Sequence, residues 1–194
     1  MKNRFAALLL AVGLFNQLHS LCLETYEPVL PALKVAEPAS PLGVVPIAQQ
    51  TGYSDGQATV AMAINCLTGK NLDENDIDKK YGYELLSALR EECASAGLNW
   101  QDGGEIGPDK WEMIEHKILN EKLPVVLALN GPEFSVDPRR GHIVLVCGLE
   151  GDKVTYADPA TGTLRTTTRS NINNALQHPQ GNFIFYADRE LDIR

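Results

Sequence analysis

The hydrophobic positions of this chain change from helical spacing in its first part to short β-rich runs in its second. Residues 58–67 follow a turn signal at 52–56 (GYSDG), are apolar on nearly every face, and predict a helix buried all round. Residues 83–97 and 109–120 carry apolar residues at helical spacing and predict two amphipathic helices. The polar, acidic stretch 71–79 predicts a short exposed helix.

The second part predicts strands. Residues 124–129, 142–147, 154–157 and 182–187 are short runs rich in β-branched and aromatic residues. The glycines of segment 148–152 (GLEGD) predict a hairpin turn between two of these runs. Helices first and antiparallel strands second indicate an α+β fold.

The N-terminal segment has the pattern of an export signal. Lys2 and Arg4 precede the apolar run 5–15, which is too short to cross a bilayer but fits the core of a signal peptide. We therefore predict a signal peptide over residues 1–20 and an exported protein, periplasmic or secreted. A buried helix and a membrane anchor are the competing interpretations.

Residues 21–45 are proline-rich and carry few periodic apolar positions. Proline removes a backbone donor and fixes φ, so this segment predicts an extended arm, either a tether or a packed extension. The domain is then expected over residues 46–194, with no membrane span in the mature protein.

Net charge restricts the partners. The chain carries a formal charge of -8, and no basic cluster offsets it. Nucleic acids and anionic membrane surfaces repel an acidic protein, so we expect neither as a partner.

The cysteines leave two interpretations open. Cys22, Cys66, Cys93 and Cys147 permit three disulfide pairings in an oxidising compartment, but inert buried thiols fit equally well. Their spacing does not match a structural zinc site, and we expect no cofactor.

Four positions suggest chemistry. Gln49 lies six residues before Asp55, which opens the buried helix. His142 begins a predicted strand, and Asp158 follows the next strand and precedes Pro159.

This order and spacing resemble the papain-like cysteine peptidases, most closely the bacteriocin-processing peptidases that cut after double-glycine leaders, over roughly residues 46–190. The resemblance implies a papain-like fold, with a central buried helix packed on an antiparallel sheet. It also implies Gln49 as oxyanion donor, His142 as base and Asp158 as the residue that orients it. The nucleophile position, a cysteine in that family, is Asp55 here.

A carboxylate at that position changes the expected function. Asp55 and a protonated His142 would copy the charges of a thiolate–imidazolium pair without its nucleophile. We therefore expect a pseudo-peptidase that binds an extended peptide or protein segment in its groove. Asp55 as a plain helix cap is the simplest alternative.

Two enzymatic alternatives remain. One is an active peptidase or amide hydrolase of the papain-like class, in which Asp55 is an engineered or strain-specific replacement of the cysteine, or another nucleophile such as Ser54 serves. The other is a metal-assisted hydrolase that uses Asp55, His142 and Asp158 as ligands, because one imidazole and two carboxylates suit several metals.

Overall fold

The structure is a computed structural model that describes residues 41–130, 134, 140–175 and 182–189. These residues all fall within one unit, Pro38–Arg194. The predicted signal peptide, most of the proline-rich arm and Cys22 lie outside the described residues.

The helices carry most of the first half of the described chain, as their apolar spacing predicts. Their bounds are α1 Asp55–Thr68, α2 Glu74–Tyr81, α3 Leu85–Cys93, α4 Trp111–Glu115 and α5 Arg169–Asn173. Short 3-10 turns occupy Ala94–Ala96 and Pro108–Lys110, and α4 continues into a π-helical segment, His116–Glu121. Within the described ranges, no helix is long and apolar enough to cross a membrane.

The strands form one sheet in the described part of the chain. They are β1 Leu98–Asp102, β2 Val125–Leu129, β3 His142–Glu150, β4 Lys153–Asp158, β5 Thr163–Thr168 and β6 Phe183–Arg189. Their spatial order is β1-β6-β2-β3-β4-β5, and every neighbouring pair is antiparallel. The predicted α+β class, with a buried helix packed on an antiparallel sheet, is confirmed.

Strands β1 and β5 are both edge strands, and the sequence did not predict either. Strand β5 reads TLRTTT, and partly exposed polar residues give it no apolar alternation to recognise. The hairpin turn also lies later than expected. Strand β3 continues to Glu150, and a bulge between Val146 and Gly148 accommodates one extra residue of β3 opposite β4.

Helix α1 is the centre of the main core. It is buried continuously from Gly56 to Ile64 and ends at Gly69, whose left-handed φ of 71° suits glycine. A β-carbon on Gly56 would lie 2.8 Å from Leu85 of α3 and 3.1 Å from Ile143 of β3. The absence of a side chain at Gly56 therefore lets the first turn of α1 approach the sheet closely.

The sheet separates two apolar clusters. Ile143, Leu145 and Cys147 of β3 belong to the cluster around α1, whereas Val144 and Val146 belong to the cluster around α4. This alternation is the period of two of a strand buried on both faces. It is also why β3 reads as an unbroken apolar run.

The last residues of the predicted arm pack on this domain. Val44 is buried, Leu42 is half-buried against the core, and Pro41 lies against Gly148 of β3. No disulfide joins any two of the described cysteines, Cys66, Cys93 and Cys147.

Candidate functional site

The structure brings three of the four predicted site residues together around one imidazole ring. His142 Nε2 lies 2.7 Å from Asp158 Oδ1, and His142 Nδ1 lies 3.5 Å from Asp55 Oδ2. The side chains of His142 and Asp158 are 7% and 1% exposed, and that of Asp55 is 16% exposed. The ring is therefore held between two carboxylates, and Asp55 is the member that reaches solvent most.

The turn after β4 fixes the carboxylate of Asp158. Its Oδ1 accepts a hydrogen bond from Ala160 N at 2.9 Å, and Gly162 N closes the turn on the Asp158 carbonyl at 2.8 Å. Arg165, on the facing strand β5, donates to Asp158 Oδ2 at 3.0 Å. Both carboxylate oxygens are thus satisfied, and the bond to His142 orients the ring.

Two side chains of α1 hydrogen-bond the backbone N–H and C=O of Ile143, near the start of β3. Ile143 N donates to Asp55 Oδ2 at 2.7 Å, and Thr59 Oγ1 donates to the Ile143 carbonyl at 2.9 Å. Asp55 and Thr59 are four residues apart, so they lie on one face of the helix. This contact places His142, the neighbour of Ile143, beside the first turn of α1.

The sheet leaves these two backbone groups available at Ile143. Pairing between β3 and β4 begins at Leu145, opposite Ala157. Continuing that register would place Pro159 opposite Ile143, but proline has no N–H to donate and the chain turns there. Buried backbone groups require partners, and α1 supplies them where the ladder ends.

The charges around the ring favour its protonated form. Burial on its own lowers the pKa of His142, but the hydrogen bonds and charges of Asp158 and Asp55 outweigh burial and raise it to about 9. Burial opposes ionisation of Asp158 as well, yet His142 and Arg165 lower the pKa of that carboxyl to about 2. At neutral pH the site holds an imidazolium between two carboxylates.

Gln49 reaches the site through its backbone, while its side chain turns away. Gln49 N donates to the Pro159 carbonyl at 2.8 Å, but its side-chain Nε2 donates to the Thr51 carbonyl at 2.6 Å. The next amide, Gln50 N, is held by both oxygens of the buried Glu74 at 3.0 and 2.9 Å. The Gln49 backbone is therefore anchored to the turn after β4, but its side-chain amide donates to Thr51 instead of pointing at His142.

The other candidate nucleophiles make hydrogen bonds or are buried away from His142. Ser54 Oγ accepts from Thr51 N at 3.2 Å and lies 3.0 Å from the Thr51 hydroxyl. Burial raises the pKa of the Cys66 and Cys93 thiols, which disfavours the reactive thiolate. Cys147 contacts a backbone carbonyl of β4 and belongs to the cluster around α1.

The geometry does not suit the metal alternative. Asp55 and Asp158 contact opposite nitrogens of one ring, so a single ion bound to that ring cannot reach both carboxylates. Across the ranges that the structure describes, no group of three or more His, Cys, Asp or Glu residues is arranged to hold a metal ion.

Sequence reasoning missed two residues that shape the site. The spacing of Thr59 from Asp55 by one helical turn could have indicated a shared face. Arg165 carried no such signal, because its contact with Asp158 depends on the pairing of β4 with a strand that the sequence did not predict.

Comparisons with known proteins identify the fold. A protein described as a C39-like peptidase from Bacillus anthracis superposes with a TM-score of 0.56 at 15% identity, covering 79% of this chain and 98% of its own. The peptidase domain of Streptococcus ComA, a bifunctional ABC transporter involved in quorum sensing, gives 0.51 at 14%, with coverages of 75% and 99%. A double-glycine motif protease of an AMS/PCAT transporter, solved with the leader peptide, gives 0.52 at 14%, with coverages of 79% and 96%.

The fold is that of the papain-like C39 peptidases. At such identities the likeness concerns the fold alone. No protein-family model and no curated protein matches the chain.

The raised pKa of His142 predicts a pH-dependent stability. The folded-state pKa of about 9 exceeds the ordinary 6.5, so the contribution of His142 is complete below pH 6.5 and is lost as pH rises through 9. Asp158 contributes above its ordinary 3.8, and its contribution is lost as pH falls through about 2. At about 1.4 kcal/mol per pKa unit, the His142 contribution is roughly 3 kcal/mol.

Urea unfolding from pH 5 to 10, with NMR titration of the ring, measures this dependence. His142→Gln is the control, because it should remove most of the loss between pH 6.5 and 9. A ring midpoint at or below 6.5 would contradict the prediction.

The hydrogen bond from Thr59 to the Ile143 carbonyl predicts that Thr59→Val destabilises the protein. Valine keeps the shape but leaves the buried Ile143 carbonyl without its donor, which should lower the free energy of unfolding by about 1–3 kcal/mol. Thr166→Val on the exposed edge strand is the matched control and should change stability by less than about 0.5 kcal/mol. Equal effects of the two substitutions in urea unfolding would exclude a specific role for this hydrogen bond.

Proposed function

We propose that this chain is an exported pseudo-peptidase, whose papain-like cleft binds an extended peptide or protein segment without cleaving it. The observation that carries the proposal is the carboxylate of Asp55 at the first turn of α1, 3.5 Å from the His142 ring. In this proposal Asp55 occupies the position where a papain-like peptidase has its thiol.

The chemistry of Asp55 argues against ordinary peptide cleavage. A carboxylate that attacked an amide carbonyl would form a mixed anhydride at the expense of a stable amide bond. The Asp55 oxygen nearest the ring also accepts from Ile143 N, so attack would remove the partner of a partly buried backbone donor. These two costs support binding rather than covalent catalysis.

The remaining site supports a binding role. His142, Asp158 and Arg165 form a continuous hydrogen-bonded chain that fixes the ring in one orientation. The similar double-glycine motif protease was solved with its leader peptide, and by analogy we propose a peptide as the ligand here. The net charge of -8 suits a neutral or basic partner.

Asp55→Cys tests the proposed correspondence. If the introduced thiol faces His142 at a helix N-terminus, it should ionise at low pH, so iodoacetamide should alkylate it at pH 6.5 at least about tenfold faster than an ordinary thiol. Mass mapping separates the introduced thiol from the four native cysteines. Adding His142→Ala should abolish the acceleration, and Asp55→Ser controls for loss of the carboxylate.

Binding without cleavage is measured on the unaltered protein. A library of unstructured peptides is titrated by fluorescence anisotropy, and bound peptides are recovered for mass spectrometry. Intact peptides that shift the resonances of Ile143 and neighbouring α1 residues support the proposal. Cleavage that disappears in His142→Ala would overturn it in favour of an active hydrolase.

Export is tested separately. Residues 1–20 fused to alkaline phosphatase should give phosphatase activity, which requires an oxidising compartment outside the cytoplasm. Replacing Leu9 and Leu10 with Asp should abolish that activity, because a charged core cannot act as a signal. Unchanged activity in the Asp variant would exclude this segment as the signal.

A further inference from the structure

The two segments that meet at Asp55 and His142 meet a second time at the protein surface. Arg140 Nη2 donates to the Tyr53 hydroxyl at 2.6 Å, and the Arg140 guanidinium lies 4.1 Å from the centre of the Tyr53 ring. Each residue precedes a site residue by two positions, Tyr53 before Asp55 and Arg140 before His142. The Tyr53–Arg140 contact therefore joins the same two chain segments as the buried Asp55–His142 pair.

The Tyr53–Arg140 contact is exposed to solvent, whereas the Asp55–His142 pair is largely buried. Tyr53 is 60% exposed and Arg140 is also exposed, whereas the side chain of Asp55 is 16% exposed. The face of the exposed Tyr53 ring carries the Arg140 guanidinium in a cation–π contact.

Gly52 provides the space for the guanidinium. A β-carbon on Gly52 would lie 2.9 Å from Arg140 Nη1, the far end of a flexible side chain. The Arg140 guanidinium therefore lies against Gly52 and the neighbouring Tyr53. A methyl group at Gly52 should displace Arg140 without touching the site itself.

We propose that Tyr53 and Arg140 form a strap that bridges the mouth of the cleft and determines which ligands reach Asp55 by their size. The strap deepens the proposed function, since it governs access to the same site. One exposed cation–π contact with one hydrogen bond biases an open–closed equilibrium by about fivefold to tenfold, so the strap opens readily for a ligand that fits.

The strap is tested with two thiol reagents on the Asp55→Cys protein at pH 8.5, where an ordinary thiol also reacts. Iodoacetamide is the small probe and a maleimide carrying a polyethylene glycol chain is the bulky one, with labelling of the introduced thiol quantified by mass mapping. Adding Tyr53→Ala should raise the bulky rate at least about fivefold and the small rate less than about twofold. Adding Gly52→Ala should act in the same direction.

Tyr83→Ala is the matched control, because Tyr83 is a similarly exposed tyrosine on the turn between α2 and α3. It should leave the ratio of the two rates unchanged. An unchanged ratio in Tyr53→Ala, or an equal change in Tyr83→Ala, overturns the strap. Because any accessible thiol reacts at this pH, the result is independent of whether the introduced thiol ionises at low pH, which is the test of the proposed function.

A second measurement needs no cysteine. In the unaltered protein and in Tyr53→Ala, a bulky nitroxide carried on a polyethylene glycol chain broadens the Ile143 amide resonance in proportion to its access to the site. The strap predicts stronger broadening in Tyr53→Ala than in Tyr83→Ala. Identical broadening in both variants would count against it.

Discussion

The site depends on two hydrogen bonds that helix α1 makes to the backbone of Ile143 in strand β3. Asp55 and Thr59 bind the N–H and the carbonyl of Ile143, where the ladder to β4 has ended at the Asp158–Pro159 turn. Both groups lie in a protein interior that tolerates few unpaired backbone atoms. Satisfying them sets the helix against the sheet and places His142 next to the first turn of the helix.

The same contact links structure and charge. Asp55 is a structural acceptor for Ile143 and also an ionic neighbour of His142, and Asp158 holds the other side of the ring. Two carboxylates raise the pKa of the ring, and Arg165 balances part of the negative charge on Asp158. The result is a preorganised group of charges around one ring, and its most solvent-exposed member, Asp55, is a weak nucleophile. Our proposal of binding without cleavage rests on this combination.

Several small contacts, instead of one large interface, hold the segment before α1 in place. Gln49 N is anchored to the turn after β4, Gln50 N to buried Glu74, and Tyr53 to Arg140 at the surface. Each contact is worth little alone, but together they connect the segment before α1 to three different elements. These contacts fix the backbone without fixing every side chain. The backbone N–H of Gln49 is anchored at the site, whereas its side-chain amide donates to the Thr51 carbonyl.

The sequence by itself determined the buried helix α1, the strands β2, β3, β4 and β6, and the order in which Gln49, Asp55, His142 and Asp158 occur. Local periodicity and the positions of glycine and proline encode these features directly. Only the tertiary structure decided the register shift in β3, the edge strands β1 and β5, and the partners Thr59, Arg165 and Arg140. Those depend on which segments lie side by side after folding, and a hydrogen bond between residues far apart in the chain leaves no periodic signal in the sequence around either of them.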